Sequence, residues 1–237
     1  MSNPVKPLAN PARQYALEQM VMATNSSSIV SKRSVEKLYY PDEPHYFRYF
    51  VKKYQRRAPL INRGYWLRLK AIDTIIRRFL TKHRAAEKRL IVNLGCGSDV
   101  LPWQTYARYT DLCEDVLFVD IDYPELMRQK RSIVLETPQL RNILDKDFTI
   151  NDLDENHVML RSKLYCQIGC DLRELDKIEK TLAELTPLSE CSVLFVAEVS
   201  ITYMDTPSAD ALIQRTSNIG NCKSSRIKGK GTAEFCF

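Results

Sequence analysis

The 237-residue sequence contains no run of about 18 uninterrupted apolar residues, so no stretch of it reads as a membrane-spanning helix. Its first residues, Met1-Ser2-Asn3-Pro4-Val5-Lys6, are polar and lack the apolar core of a secretory signal. Cysteine pairing is missing as well. Seven cysteines, an odd number, stand at 96, 113, 166, 170, 191, 222 and 236 with no Cys-x-x-Cys among them, which fits free thiols in a reducing compartment better than a disulfide scaffold. Cys166 and Cys170 share one side of an expected strand and read as small hydrophobes. Histidine is scarce. His45, His83 and His157 are far apart, so nothing marks a metal centre or a histidine base, and His157 is expected at the surface. The net charge of +6 is modest; it tolerates a nucleic-acid partner without demanding one.

What is present centres on Leu90-Ile91-Val92-Asn93-Leu94-Gly95-Cys96-Gly97-Ser98-Asp99. The apolar, β-branched start reads as a buried strand, and the Gly-x-Gly after it allows a tight turn where backbone can approach a ligand. A second strand, Val116-Leu117-Phe118-Val119-Asp120-Ile121-Asp122, ends on a carboxylate 27 positions beyond Gly95. An acid at that tip is placed to hydrogen-bond a ribose hydroxyl pair. Position 100 is Val, whereas a dinucleotide cradle wants a third glycine there for the pyrophosphate. The turn is therefore more similar to the looser Gly-x-Gly of S-adenosylmethionine-dependent methyltransferases, whose cofactor has a ribose and no phosphate.

Around this pair the chain alternates elements. Residues 1 to 28 read as a polar arm closing on the loop or N-cap signal Thr24-Asn25-Ser26-Ser27-Ser28, followed by a short helix from Ile29 to Tyr40 that presents Lys32 and Arg33 and is broken at Pro41. Tyr46, Phe47, Tyr49 and Phe50 have the spacing of a core-facing cluster. The basic run Lys52-Lys53-Tyr54-Gln55-Arg56-Arg57 fits a solvated face as well as an RNA contact. From Tyr65 to about Ala86, apolar residues recur at helical spacing opposite Arg68, Lys70, Arg77, Arg78 and Lys82. After the second strand come a helix with Pro138 interrupting, a polar turn at 151–157, and a third strand from Tyr165 to Leu172. A helix stopped by Pro187 follows, then a fourth strand, Ser192-Val193-Leu194-Phe195-Val196-Ala197-Glu198. Strand and helix alternate with acids at the strand tips, the pattern of a parallel sheet with its binding edge at the C-terminal ends.

Several blocks together resemble the leucine carboxyl methyltransferase family, and within it the branch that modifies tRNA on the way to wybutosine. They are Ser31-Lys32-Arg33-Ser34, Arg57-Ala58-Pro59-Leu60-Ile61-Asn62-Arg63-Gly64-Tyr65, the glycine turn, Asp122-Tyr123-Pro124, Asp171-Leu172-Arg173 and Ala197-Glu198, with Tyr203-Met204 beyond. The likeness runs from about Asn25 to Gln214. It implies a Rossmann-like class I methyltransferase of α/β class with a parallel-type sheet, using S-adenosylmethionine to methylate a carboxylate in the cytoplasm. Carried over by position, Lys32 and Arg63 meet the methionine carboxylate, which needs a cation and suits a bidentate guanidinium. Gly95 admits the backbone, and Asp122 takes the ribose with Asp120 as fallback. Asp171 and Leu172 hold the adenine, Glu198 sits near the cofactor's charged end, and Tyr203 lines the reacting cavity; Arg63 and Tyr203 are the catalytic candidates. The implied substrate is a modified guanosine beside the anticodon of phenylalanine tRNA, whose carboxylate is methylated and whose amino group is methoxycarbonylated. The alternatives are the C-terminus of the protein phosphatase 2A catalytic subunit and a non-catalytic remnant.

The same comparison divides the chain into an N-terminal arm and helical cap at 1–88, a partial methyltransferase domain at 89–214 and a basic, disordered tail at 215–237. Only four strands are counted by Glu198, and such a sheet normally has seven, so C-terminal strands are expected to be missing. Ile219-Gly220-Asn221 and Ala233-Glu234-Phe235-Cys236 resemble one continuous family segment separated by Cys222 to Thr232, which implies a truncated or mis-spliced product. The fourth strand is then expected to lack a neighbour and to invite aggregation.

Overall fold

The computed structural model describes residues 11–84, 88–151, 157–221 and 233–236. Apolar strands alternating with one-sided helices bury both when helices cover the two faces of a sheet. That is the arrangement here. Helices α1 (Pro11–Tyr39) and α2 (Pro59–Lys82) precede the sheet, with the 3-10 turn Phe47–Tyr49 between them. Then come β1 (Lys88–Leu94), α3 (Leu101–Arg108), β2 (Val116–Asp122), α4 (Pro124–Glu136) and α5 (Pro138–Arg141). The chain continues through β3 (Thr149–Ile150), β4 (Val158–Arg161), β5 (Tyr165–Gly169), α6 (Leu175–Leu185), β6 (Cys191–Val196), α7 (Thr206–Asn221) and β7 (Ala233–Cys236).

The seven strands lie in the order β3-β4-β5-β2-β1-β6-β7. The run β5-β2-β1-β6-β7 is parallel, and β3 and β4 add an antiparallel border at one edge. The order moves from β1 toward β2 and β5 on one side and resumes at β6 on the other, so β1 and β6 flank the topological switch point where an open α/β sheet leaves a crevice. Strand β1 shows why both faces are covered. Leu90, Val92 and Leu94 point into a core shared with Ile178 and Leu182 of α6 and Leu212 of α7. Ile91 points the other way, into a core with Ile72, Ile76 and Phe79 of α2 and with Trp103. Phe47 is wholly buried there, as its spacing predicts.

Several expectations change. The serine-rich stretch at 24–28 is helical, because its polar side chains find partners that keep them from competing with the helix: Thr24 Oγ1 donates to Val21 O and Ser31 Oγ to Ser27 O. Helix α2 starts six residues before Tyr65, at Pro59, where a missing N–H does no harm. The tail at 215–237 is not free of regular structure: α7 runs to Asn221, and β7 pairs in parallel with β6 from Val193↔Ala233 to Val196↔Cys236. The fourth strand of the sequence reading therefore has a neighbour on each side. The insertion from Cys222 to Thr232 lies outside the described residues. His157 is half-buried rather than at the surface, its ring Nδ1 3.3 Å from Gly169 O. Among the described residues no helix is long and apolar enough to cross a membrane.

Candidate active site at the C-terminal edge of the sheet

The turn after β1 carries two left-handed residues, Gly95 at φ +68° and Gly97 at φ +49°, a conformation that side chains resist. Each glycine also faces a protein neighbour. A Cβ on Gly95 would overlap the Ser200 side chain, and one on Gly97 would overlap Asn25 Oδ1. Both neighbours hold the turn. Ser200 Oγ donates to Leu94 O at 2.6 Å. Asn25 Oδ1 accepts from Ser98 N at 2.9 Å, and its Nδ2 donates to Ser98 Oγ at 3.0 Å. Helix α1 thus closes over the glycine turn through Asn25, a role that no local sequence pattern signals.

Asp122, at the tip of β2, is buried and accepts from Gly97 N at 2.6 Å and from Tyr123 N at 2.7 Å. Burial raises its pKa to about 6 against those two hydrogen bonds. Each of its oxygens keeps acceptor capacity for a ligand hydroxyl. Asp120, the fallback, is not part of the cavity wall. It is fully buried deeper under the sheet edge, where Lys130 Nζ lies 2.7 Å from Oδ2 and Tyr165 OH donates to the same atom at 2.7 Å. Lys130 also donates to Asp99 O at 2.6 Å, so this pair pins the far end of the glycine turn. The sequence reading passed over Lys130; the signal was its place with Met127 and Val134 on the buried face of α4, where a lysine needs an acid.

Lys32, 4% exposed, reaches from α1 to two carboxylates, Glu198 Oε2 at 2.5 Å and Asp99 Oδ1 at 3.3 Å. Burial opposes its charge, but the two acids outweigh burial and hold its pKa above the ordinary lysine value. Glu198 is held above the ordinary carboxylate range by burial, with Lys32 pulling the other way. Its second oxygen lies 2.9 Å from Arg68 Nε in an ion pair that lacks hydrogen-bond alignment, and the Arg68 guanidinium sits 4.2 Å from the Tyr65 ring centre. The sequence pattern put Arg68 on the polar face of its helix; four residues before Ile72, it shares the inner face instead. Arg63 is not brought to this group. Five residues from Arg68 is about 500° of helical rotation, which leaves Arg63 exposed on the outer side of α2. Val199, between Glu198 and Ser200, sits at φ +62°, a strained conformation for a β-branched residue, and all three line the same cavity.

These groups surround a cavity of about 660 Å³ over the ends of β1, β2 and β6, within the range of small-ligand sites. Of the residues expected there, Lys32, Gly95, Asp122, Asp171, Leu172, Glu198 and Tyr203 all line it, together with Arg68 and the α1 segment around Asn25. Tyr203 is half-exposed at its rim. The Asp171 carboxylate is already gripped by the Arg173 side chain and by Arg173 N at 2.9 Å, so an adenine amino group would share it. Asn93, 2% exposed at the end of β1, lines the same cavity, and its Nδ2 has no hydrogen-bond partner among the described residues. A buried donor left unmade costs roughly 1–3 kcal/mol, which a ligand acceptor would recover. A buried carboxylate with acceptor capacity, an apolar leucine, a buried cation and an unpaired donor make a set whose chemistry suits an adenosyl amino acid.

The family model described as leucine carboxyl methyltransferase matches residues 12–217. Among curated proteins, the chain is 60% identical over 226 residues to tRNA wybutosine-synthesizing protein 4 of Gibberella zeae, covering 95% of this chain and 21% of that protein. It is 49% identical to the protein of that name in Emericella nidulans, over 100% of this chain and 21% of the relative. With the one in Eremothecium gossypii it shares 40% identity, over 85% and 30% respectively. The chain therefore spans between a fifth and a third of these relatives' length. With its sheet order, its glycine turn and the match over most of its residues, the chain belongs to the leucine carboxyl methyltransferase family.

Proposed function

We propose that this chain binds S-adenosylmethionine and transfers its methyl group to a carboxylate on a modified nucleoside of phenylalanine tRNA. The observation that carries the reading is the convergence, in one crevice at the switch point, of Asp122 at the β2 tip with the Lys32–Glu198–Arg68 charge array. The names of the relatives point to tRNA, and membership of the family points to methyl transfer. Buried free cysteines at all six described positions suit the cytoplasm as its place of work.

The cofactor, when bound, brings an already activated sulfonium methyl. The chain's own part is placement. Asp122 would hold the ribose hydroxyls, Leu172 would pack against the adenine, and Asn93 and the cations would take the amino-acid end. Glu198, whose charged form Lys32 favours against burial, would face the positive sulfonium region. An ionised carboxylate needs no base to attack a methyl carbon, so these residues would act by alignment and by excluding water from the reacting pair. Among the described residues Arg68 carries one misaligned ion pair, and it is 30% exposed, so its terminal amino groups could orient an incoming carboxylate.

The test is methyl transfer from labelled S-adenosylmethionine to phenylalanine tRNA carrying the unmethylated precursor. Label in the tRNA nucleoside, reduced at least tenfold by Arg68→Ala, supports the reading. Label instead in the C-terminal leucine of the protein phosphatase 2A catalytic subunit overturns the substrate. A folded chain that does not bind the cofactor overturns the activity.

A further inference from the structure

Helix α2 has two different sides. Its inner side places Tyr65 and Arg68 in the cavity wall and Ile72, Ile76 and Phe79 in the core. Its outer side carries Arg63, Lys70 and Arg77, all exposed. These stand seven residues apart, and seven residues are two helical turns less about 20°, so the three cations form one stripe with steps of about 10 Å. Arg78 flanks the stripe and is exposed too. The helix holds one acid, Asp73, and it turns inward to Arg108 at 3.1 Å and Tyr109 OH at 2.9 Å, with only Lys70 near it on the outer side at 3.6 Å. Arg63, Arg77 and Arg78 have no ion pair among the described residues. Three exposed arginines without an acid, beside a lysine that shares Asp73 with Arg108, repel one another unless something negative lies across them.

The same side offers flat apolar surface. Trp66 is 36% exposed and leans on the 42% exposed Tyr39 of α1, ring centres 5.9 Å apart. At the N-terminal end the loop into α2 adds exposed Lys52, Lys53 and Arg56.

We infer that the outer face of α2 is the docking surface for the sugar-phosphate backbone of an RNA substrate, with the Trp66–Tyr39 pair as a stacking shelf for an unpaired base. The inference rests on the tRNA reading above and specifies how that substrate would be held. A stripe of point charges about 20 Å long matches a polyanion rather than a single anion. Aromatic rings beside it are how proteins hold unstacked RNA bases. The helix is only about 10–12 Å thick, so RNA along its outer side lies one helix away from the cavity that its inner side walls.

The experiment titrates the chain with fluorescent phenylalanine tRNA at several salt concentrations, beside the triple variant Lys70→Gln/Arg77→Gln/Arg78→Gln, whose residues are outside the cavity. S-adenosylmethionine affinity and thermal unfolding of each protein serve as the folding control. The expected result is RNA affinity lower by about tenfold or more in the triple variant, a log–log salt slope shallower by about 2, and unchanged cofactor affinity. Trp66→Ala should weaken binding and leave the salt slope as it is. Equal RNA affinity and slope in the triple variant overturn the inference. So does a wild-type dimer that the triple variant dissolves while RNA binding persists, since the face would then meet a second copy. A wild-type chain that binds the cofactor and no RNA overturns the surface alone; failure to bind either overturns the reading beneath it.

Discussion

Lys32 is the residue on which the site's charges balance. It answers two carboxylates from a position 4% exposed, and removing one member of a buried ion group strands the others. Lys32→Met should destabilise the chain by about 3–5 kcal/mol, read as a lower urea midpoint at unchanged slope. Gly95→Ala forces a side chain into φ +68° and against Ser200; it should cost at least about 2 kcal/mol and release the strained loop after Glu198. Asp122 sets a pH dependence. Its pKa is raised to about 6, and the proposed ribose role needs its lone pairs, so cofactor affinity should fall as pH drops from 7 to 5 and Asp122→Asn should flatten that profile in calorimetry.

At this scale much of the site was legible. Lys32, Asp122, Asp171, Leu172, Glu198 and Tyr203 were expected at one cavity from blocks of sequence, and all six line it. Arg68 escaped because a polar residue on an amphipathic helix is assigned outward by default. Asn25 and Ser200 escaped because their partners, at 98 and 94–95, are 73 and 106 residues away, and no local pattern encodes such a pairing.

Among elements, α1 departs furthest from its sequence reading, and Glu36 shows what anchors its end. This buried carboxylate accepts from Tyr46 N at 2.8 Å, Phe47 N at 3.3 Å and Gln104 Nε2 at 3.2 Å. It ties α1 to the following 3-10 turn and to α3. Burial still dominates and raises its pKa to about 7. A folded carboxyl that holds its proton more tightly than the unfolded one contributes stability below the unfolded value near 4.5, and that contribution is lost as pH rises through about 7. The urea midpoint should fall across that window by the equivalent of about 3 kcal/mol, and Glu36→Gln should remove most of the slope.

Strand signals failed where strands are shortest. β3 has two residues and β4 and β7 four each, too few to display a period. The long buried runs of β1, β2 and β6 announced themselves.

For the whole molecule, β7 matters most. By pairing with β6 it converts an exposed edge into an interior strand, so the switch point between β1 and β6 lies inside the sheet rather than at its border. The parallel core, the order of its first elements and the binding edge followed from alternating strands and helices; the edges of the sheet did not, because pairing partners there come from short or distant segments. The central claim is that this crevice takes S-adenosylmethionine through its own side chains. Calorimetric titration of the purified chain with S-adenosylmethionine, beside Asp122→Ala and with circular dichroism of both proteins, tests it most directly. The account predicts saturable one-to-one binding by the wild type and affinity lower by at least about tenfold, the effect of about 1.4 kcal/mol, in a folded Asp122→Ala. A folded wild type that gives no binding heat at several temperatures, or equal affinity in the two proteins, would contradict it.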